Sequence, residues 1–253
     1  MPAMDVLVVG AGVIGLTTAI ALAESGARVR VWSAERPRDT TSAAAGALWG
    51  PDFAEPALSW SLVTRDELTV LADVPGSGVH FCRGRQVSDM SSELPPWVGE
   101  LRDVMVIPKE ELPDGMLVGL WTTAPVVDMP VYLGYLTARL ADAGVEVEAR
   151  RIGSLAEAAA VAADAIVNCT GVGARELAGD KELHAVRGQH VVVRNPGVEE
   201  FYIAAGMAAE WAGFIPHGDQ VVCGGVAMVD DWNLEPDRSE EHTSELQSRT
   251  LIS

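Results

Sequence analysis

The residues best suited to chemistry lie near the start of the chain, in the segment Gly10-Ala11-Gly12-Val13-Ile14-Gly15. Glycines spaced as G-x-G-x-x-G bind a dinucleotide when they follow a buried strand and open a helix. Gly10 would permit the tight turn, Gly12 would let the main chain approach a pyrophosphate, and Gly15 would let the helix pack on the strand. The free N–H groups around Val13 and Ile14 would hold the phosphates. We therefore predict a dinucleotide site here, with a glycine-rich turn that binds nothing as the alternative.

The neighbouring residues have the pattern that this motif requires. Residues 5–9 form a short valine-rich run typical of a buried parallel strand, and residues 13–25 carry an apolar helical stripe. Residues 28–32 alternate as a second strand, after which Glu35 is placed to accept hydrogen bonds from ribose hydroxyls. Arg36 beside it would cover the adenine or, alternatively, point into solvent from a loop.

The rest of the pattern predicts an inserted second domain. Residues 36–56 lack periodicity and are expected to form a loop. Further strands are expected at 79–87, 104–107, 116–123, 145–149, 164–168, 190–194, 201–204 and 220–223, with helices at 60–71, 129–143 and from Ser154 onward. The predicted fold class is α/β, in which a Rossmann-type domain with a parallel sheet is interleaved with a β-rich substrate domain containing an antiparallel sheet. The first domain is expected to comprise residues 1–50 and 128–185, and the second 51–127 and 186–237.

Composition and charge argue against several classes of function. The net charge of the 253 residues is −18, which repels phosphate backbones, so no nucleic-acid partner is expected. The sequence contains no apolar run long enough to span a membrane, and its first residues do not resemble a secretory signal. The three cysteines form no CxxC pair, which argues against a disulfide framework or a zinc site and favours a cytoplasmic location.

The last residues differ in character from the rest. From Arg238 the Ala-, Val- and Gly-rich composition ends, and residues 238–248, RSEEHTSELQS, are similar to a translated sequencing adapter. A natural polar tail is the alternative. We expect residues 238–253 to be non-native and the natural protein to continue beyond Asp237.

A further set of short motifs follows the glycine-rich segment in a fixed order. The motifs are Thr40-Thr41-Ser42, Ala44-Ala45-Gly46-Ala47-Leu48-Trp49, Asp128-Met129-Pro130, Val167-Asn168-Cys169-Thr170-Gly171, Arg187-Gly188-Gln189-His190 and Val222-Cys223-Gly224-Gly225. Over residues 5–225 the combination resembles the D-amino-acid oxidase family of flavoproteins.

The resemblance implies FAD as the cofactor and assigns residues to its parts. Thr40-Thr41-Ser42 would offer donors to the pyrophosphate, unless they only cap their own turn. Gly46-Ala47-Leu48 would lie against the flavin ring, although such a stretch also suits ordinary core packing. Ile152 would hold the adenine side through its main chain, and Thr170-Gly171 would form the turn beside the cofactor.

The resemblance also implies a reaction. A D-amino acid would be oxidised to an imino acid that hydrolyses to a 2-oxo acid and ammonia, while oxygen is reduced to hydrogen peroxide. Alternatives are a glycine or D-aspartate oxidase of the same family, an NAD-dependent dehydrogenase, or a non-catalytic dinucleotide-binding fragment. Arg83 or Arg85 would favour an acidic substrate if either reached the side-chain pocket. A homodimer is expected.

The sequence departs from the family at the substrate carboxylate. The family holds it with a C-terminal arginine, which would lie beyond Asp237, and with a tyrosine on the strand before the Gly-Gly turn. That tyrosine position falls near Gly213 or Phe214, neither of which carries a hydroxyl. Phe214 would pack against a substrate side chain or be an ordinary strand residue, and Trp211 would offer an indole N–H.

The histidines show no spacing typical of a metal or acid–base site. His80, His184, His190 and His217 are therefore each expected to be structural or exposed, and no metal is predicted.

Overall fold

A computed structural model describes residues 3–52, 54–206 and 212–237. The chain divides into two compact units. The first comprises the residues up to Ala45, the short segment Gly76–Gly78, and Met129–Ala185; the second comprises the remainder. Residues 46–50, which the sequence assigns to the dinucleotide-binding domain, fall in the second unit.

Helices and strands follow the predicted order closely. Within the described residues the strands are β1 (Asp5–Val9), β2 (Arg28–Ser33), β3 (Val79–Ser88), β4 (Arg102–Val106), β5 (Val118–Val127), β6 (Val147–Ala149), β7 (Ala165–Asn168), β8 (Val186–Arg194), β9 (Phe201–Ala205), β10 (Ala212–His217) and β11 (Gln220–Val229). The α-helices there are α1 (Val13–Glu24), α2 (Ala57–Leu71), α3 (Met129–Asp142), α4 (Leu155–Ala159) and α5 (Ala174–Leu177). None of the helices in these ranges is long and apolar enough to cross a membrane. The α/β fold class is confirmed.

The first unit is built on a four-stranded parallel sheet with the order β6-β2-β1-β7. Val9 at the end of β1 is level with Trp32 on one side and Asn168 on the other. Because all four strands run the same way, their carboxyl ends meet at one edge. Helix α1 packs against α3, where Arg139 donates two hydrogen bonds of 2.7 and 2.8 Å to Glu24.

The second unit contains a seven-stranded sheet with the order β4-β5-β3-β9-β10-β11-β8. Its neighbouring strands are antiparallel except for β3 and β9, which are parallel. The antiparallel sheet expected from the strands at 79–87, 104–107 and 116–123 is confirmed by the pairing of β3, β4 and β5, and the parallel pair is an additional feature. A hairpin forces antiparallel pairing, but β3 and β9 are joined by a long connection that permits either direction.

Side chains alternate between the two faces of this sheet. One face carries Cys82, Ala124, Val126, Phe201 and Ile215, with Leu48 packed against them. We call it the Gly46 face, because a Cβ on Gly46 would touch Ile215 and Val222. The opposite face, called the Trp121 face, carries Val87, Tyr202, Phe214, Val221 and Cys223, with Trp121 packed against them.

The packing of α3 generates a stability prediction. Leu140 is 0% exposed, whereas Val131 on the same helix is 44% exposed. Leu140→Ala should leave a cavity and lower the free energy of unfolding by about 2–5 kcal/mol. Val131→Ala should change it by less than about 0.5 kcal/mol. Urea denaturation of both variants measures the difference, and similar values would contradict the packing described.

Candidate functional site

The carboxyl edge of the parallel sheet gathers segments that are distant in sequence. Gly10 follows β1, Glu35 and Arg36 follow β2, Ile152 follows β6, and Thr170 follows β7. Ligands of open parallel sheets bind at this edge. The structure therefore brings these predicted site residues of the first unit to the same edge.

The turn after β1 depends on two glycines. Gly10 has a φ of +106°, and a Cβ there would lie 2.3 Å from the Cys169 carbonyl oxygen. A Cβ on Gly15 would lie only 1.9 Å from the Gly10 carbonyl oxygen. Neither position accepts a side chain unless the main chain moves, so α1 begins directly against the ends of β1 and β7.

The start of α1 is open to an anion. Gly12 is its N-cap and provides no side chain, and the first turn contains no acidic residue. Ile14 in that turn is 64% exposed. The Val13 N–H donates a 3.0 Å hydrogen bond to Ser42 Oγ. A helix N-terminus carries unpaired N–H groups and a partial positive charge, which suits a phosphate.

Residues 40–42 show features of both predicted roles, a turn that caps itself and a segment that contacts the phosphate site. Thr40 Oγ1 donates a 2.7 Å hydrogen bond to the Pro37 carbonyl, as expected of a turn that caps itself. Ser42 instead reaches the N-terminus of α1, and a Cβ on Gly12 would lie 3.0 Å from its Oγ. Thr41 is exposed. Of the three, Ser42 is tied most directly to the glycine-rich turn.

A cleft of about 650 Å³ opens beside the end of β2. Its wall includes Glu35, Arg36, part of α3 such as Leu133, and Val147 on β6. The Glu35 and Arg36 side chains are both exposed, and Arg36 forms an ion pair with Asp39. The cleft combines apolar walls with two carboxylates, of Glu35 and Glu146, and two guanidinium groups, of Arg36 and Arg38. An apolar pocket with a few polar groups is typical of small-molecule sites.

The other predicted site residues of the first unit, Ile152, Thr170 and Gly171, each follow the end of a strand. Ile152 is 7% exposed and packs with Leu7 and Trp32, which leaves only its main chain to contact a ligand. Thr170 Oγ1 donates a 2.7 Å hydrogen bond to Asn168 Oδ1. Gly171 has a φ of +55° and opens a 3₁₀ turn.

In the second unit, residues 46–48 form an anchored segment. Ala47 has a φ of +35°, which is unusual for a residue with a side chain. Its carbonyl accepts a 3.0 Å hydrogen bond from the Val127 N–H, and Leu48 bridges to Val126. The Gly46 carbonyl lies 3.1 Å from His217 Nε2.

The sequence did not predict that three histidines lie on the same face of the seven-stranded sheet. His80, His190 and His217 lie on the Gly46 face, and the His80 and His217 rings meet edge to face with centroids 6.3 Å apart. Burial is the main cause that lowers the pKa of both His190 and His217. Only strand pairing brings these residues together, so no sequence spacing could have revealed them. In the described part of the chain, no group of three or more histidine, cysteine or acidic side chains is suited to a metal.

Of the two residues predicted to contact the substrate, Phe214 lies in the described part of the chain and Trp211 does not. Phe214 lies on the Trp121 face, stacked on Tyr202 at 5.8 Å, and is 6% exposed. It therefore points away from residues 46–48, and its contact with a substrate side chain stays a prediction. Trp211 and residues 238–253 lie outside the described residues.

The observed turn fits the diphosphate of FAD. Gly10, Gly12 and Gly15 leave a cradle that a Cβ would fill, and the start of α1 brings no negative charge to it. Comparison with known proteins agrees with this fit. The family model described as FAD dependent oxidoreductase matches residues 5–251.

Individual relatives are also similar over most of the chain. The D-amino-acid oxidase of Streptomyces coelicolor is 42% identical over 239 residues, covering 92% of this chain and 73% of that protein. The human D-aspartate oxidase is 33% identical, covering 98% of this chain and 75% of that protein. The crystal structure of glycine oxidase from Geobacillus kaustophilus shares the fold, with a TM-score of 0.72 at 18% identity, over 94% of this chain and 75% of that one. The glycine cradle and these matches together show that the chain belongs to the FAD dependent oxidoreductase family.

Proposed function

We propose that this protein catalyses the FAD-dependent oxidation of D-amino acids. One amino acid, one O₂ and one water would yield one 2-oxo acid, one ammonia and one hydrogen peroxide. The observation that carries the proposal is the 42% identity to a D-amino-acid oxidase, combined with an intact glycine cradle. An NAD-dependent dehydrogenase has no support from these relatives.

The first unit would hold the nucleotide part of the cofactor. The pyrophosphate would meet the N–H groups at Gly12 and Ile14. It would also meet the Ser42 hydroxyl, which accepts a hydrogen bond from the Val13 N–H. The cleft lined by Glu35 and Arg36 would receive the adenosine, with Glu35 accepting from the ribose. The main chain of Ile152, which follows β6, would hold the adenine side. Thr170 and Gly171 would complete this edge.

The second unit would present Gly46-Ala47-Leu48 to the flavin ring. A Cβ on Gly46 would lie 3.4 Å from Val222 Cγ1 and 3.7 Å from Ile215 Cδ1, so the segment packs close to the sheet. FAD, when bound, supplies the two-electron acceptor of the reaction. Residues 46–48 would orient the ring and exclude water from one side of it.

The positions of two arginines support a preference for neutral substrate side chains. Arg83 and Arg85 both stack on Trp121, at 4.3 and 5.1 Å from its ring centroid. They therefore lie on the face opposite residues 46–48 and would not reach a substrate held there. This favours neutral D-amino acids over D-aspartate, and glycine remains an alternative substrate.

The proposal also includes the cellular location and the partners of the protein. No disulfide links Cys82, Cys169 or Cys223, all of which lie in the described ranges, and this agrees with a cytoplasmic location. The homodimer and the absence of a nucleic-acid partner stay predictions. The interpretation of residues 238–253 as non-native also stays a prediction.

The glycine cradle can be tested by substitution. Gly12→Val should weaken FAD binding by at least about tenfold, because the side chain would occupy the approach to the phosphates and press on Ser42. Gly99→Val is the control, since nothing lies within 4 Å of a Cβ at Gly99. Visible flavin absorption per protein after gel filtration measures retention. Equal retention in both variants would exclude the proposed phosphate site.

The reaction can be tested with matched enantiomers. Protein reconstituted with FAD should produce hydrogen peroxide with D-alanine and much less with L-alanine, D-aspartate or glycine. Peroxidase-coupled detection and 2-oxo acid quantification should agree in amount, as the balanced reaction requires. Bound flavin that no amino acid reduces without oxygen would favour the non-catalytic alternative, and preference for glycine or D-aspartate would move the assignment within the family.

A further inference from the structure

The histidines on the Gly46 face have no role in the reaction as proposed. His217 ends β10, and His80 and His190 lie on β3 and β8 of the same sheet. Of the three, His217 contacts the main chain of the segment assigned to the flavin ring, through the 3.1 Å approach of Nε2 to the Gly46 carbonyl.

The contact with the Gly46 carbonyl indicates which ring nitrogen of His217 carries the proton. A carbonyl oxygen can only accept, so Nε2 must carry a proton and donate it. Burial lowers the pKa of His217 below its ordinary value, so the ring is neutral near pH 7. A neutral ring has one N–H, which leaves Nδ1 unprotonated. Among the residues that the structure describes, this buried atom has no hydrogen-bond partner.

Residues 46–48, which accept this hydrogen bond, depend on contacts with neighbouring strands for their backbone conformation. Ala47 holds a positive φ, a conformation that persists only where the surroundings determine it. Two bonds to β5 fix its far side, from the Val127 N–H to the Ala47 carbonyl and from the Trp49 N–H to the Pro125 carbonyl. The bond from His217 fixes its near side, at Gly46.

We propose that His217 is a positioning residue whose Nε2–H bond to Gly46 holds residues 46–48 in the backbone conformation that receives the flavin ring. The inference rests on the proposed function, because that function assigns the flavin ring to this segment. His217 itself would not touch the reacting atoms.

The groups around His217 set how it responds to pH. Burial opposes its charged form most strongly, the hydrogen bond to the Gly46 carbonyl and the Asp128 carboxylate favour that form, and His80 disfavours it. His217 in turn lowers the pKa of His190. A histidine whose pKa is lowered on folding stabilises the protein above the unfolded value of 6.5 and loses that contribution as pH falls below it. Wild type should therefore lose more stability than His217→Gln between about pH 7.5 and about pH 5.5, measured by urea unfolding.

The decisive experiment compares three variants of the full chain. His217→Leu removes the donor while keeping a similar volume, and His217→Gln restores an N–H at about the same distance. His190→Leu removes another half-buried histidine from the same face without affecting the bond to Gly46. The FAD dissociation constant should rise about five- to tenfold in His217→Leu, the effect of one lost hydrogen bond, and stay near wild type in the other two.

A second measurement does not depend on FAD. Without cofactor, His217→Leu should speed hydrogen exchange at the Val127 and Trp49 amides, because these bonds hold the other side of the same segment. His217→Gln should restore slow exchange, and His190→Leu should not change it. If wild type bound no FAD but the exchange result held, the proposed function would fail while the positioning of residues 46–48 stood. Unchanged exchange and FAD affinity in His217→Leu, or equal effects in His190→Leu, would overturn the inference.

Discussion

The close approach of α1 to the end of β1 is the constraint on which the first unit depends. Only 1.9 Å would separate a Cβ on Gly15 from the Gly10 carbonyl oxygen, and a Cβ on Gly10 would collide with Cys169. Any side chain at these positions would push the helix away from the sheet. The positive end of the helix would then leave the edge where β1, β2, β6 and β7 end, and an anion there would lose its donors.

This part of the molecule was predictable because its determinants are local. The spacing of Gly10, Gly12 and Gly15, the buried run 5–9 and the alternation of 28–32 each lie within a few residues of one another. The positions of Ile152 and Thr170 at the same edge follow once the strands before them are recognised as parallel. Parallel strands have few alternative arrangements in such a sheet. The local strand patterns were therefore enough to predict that Ile152 and Thr170 lie at the same edge as Gly10.

The second unit was less predictable because its contacts depend on register between distant strands. A shift of one residue moves every side chain of a strand to the other face. The sequence could place a family tyrosine near Gly213 or Phe214, but only the pairing of Phe214 with Tyr202 shows that Phe214 is on the Trp121 face. The meeting of His80 and His217 has the same origin, as does the parallel pairing of β3 with β9.

The Gly46 face combines apolar side chains with two histidines, His190 and His217, whose pKa burial lowers, and this bears on how a substrate would bind there. The desolvation that lowers the pKa of His190 and His217 acts on any cation brought to the same surface. An amino acid approaching residues 46–48 would therefore bind more readily with its amine uncharged. An uncharged amine has the lone pair that imine formation requires, so no side chain needs to remove a proton from it. Under the proposed function, the reaction therefore does not require an acid–base pair of side chains on this face.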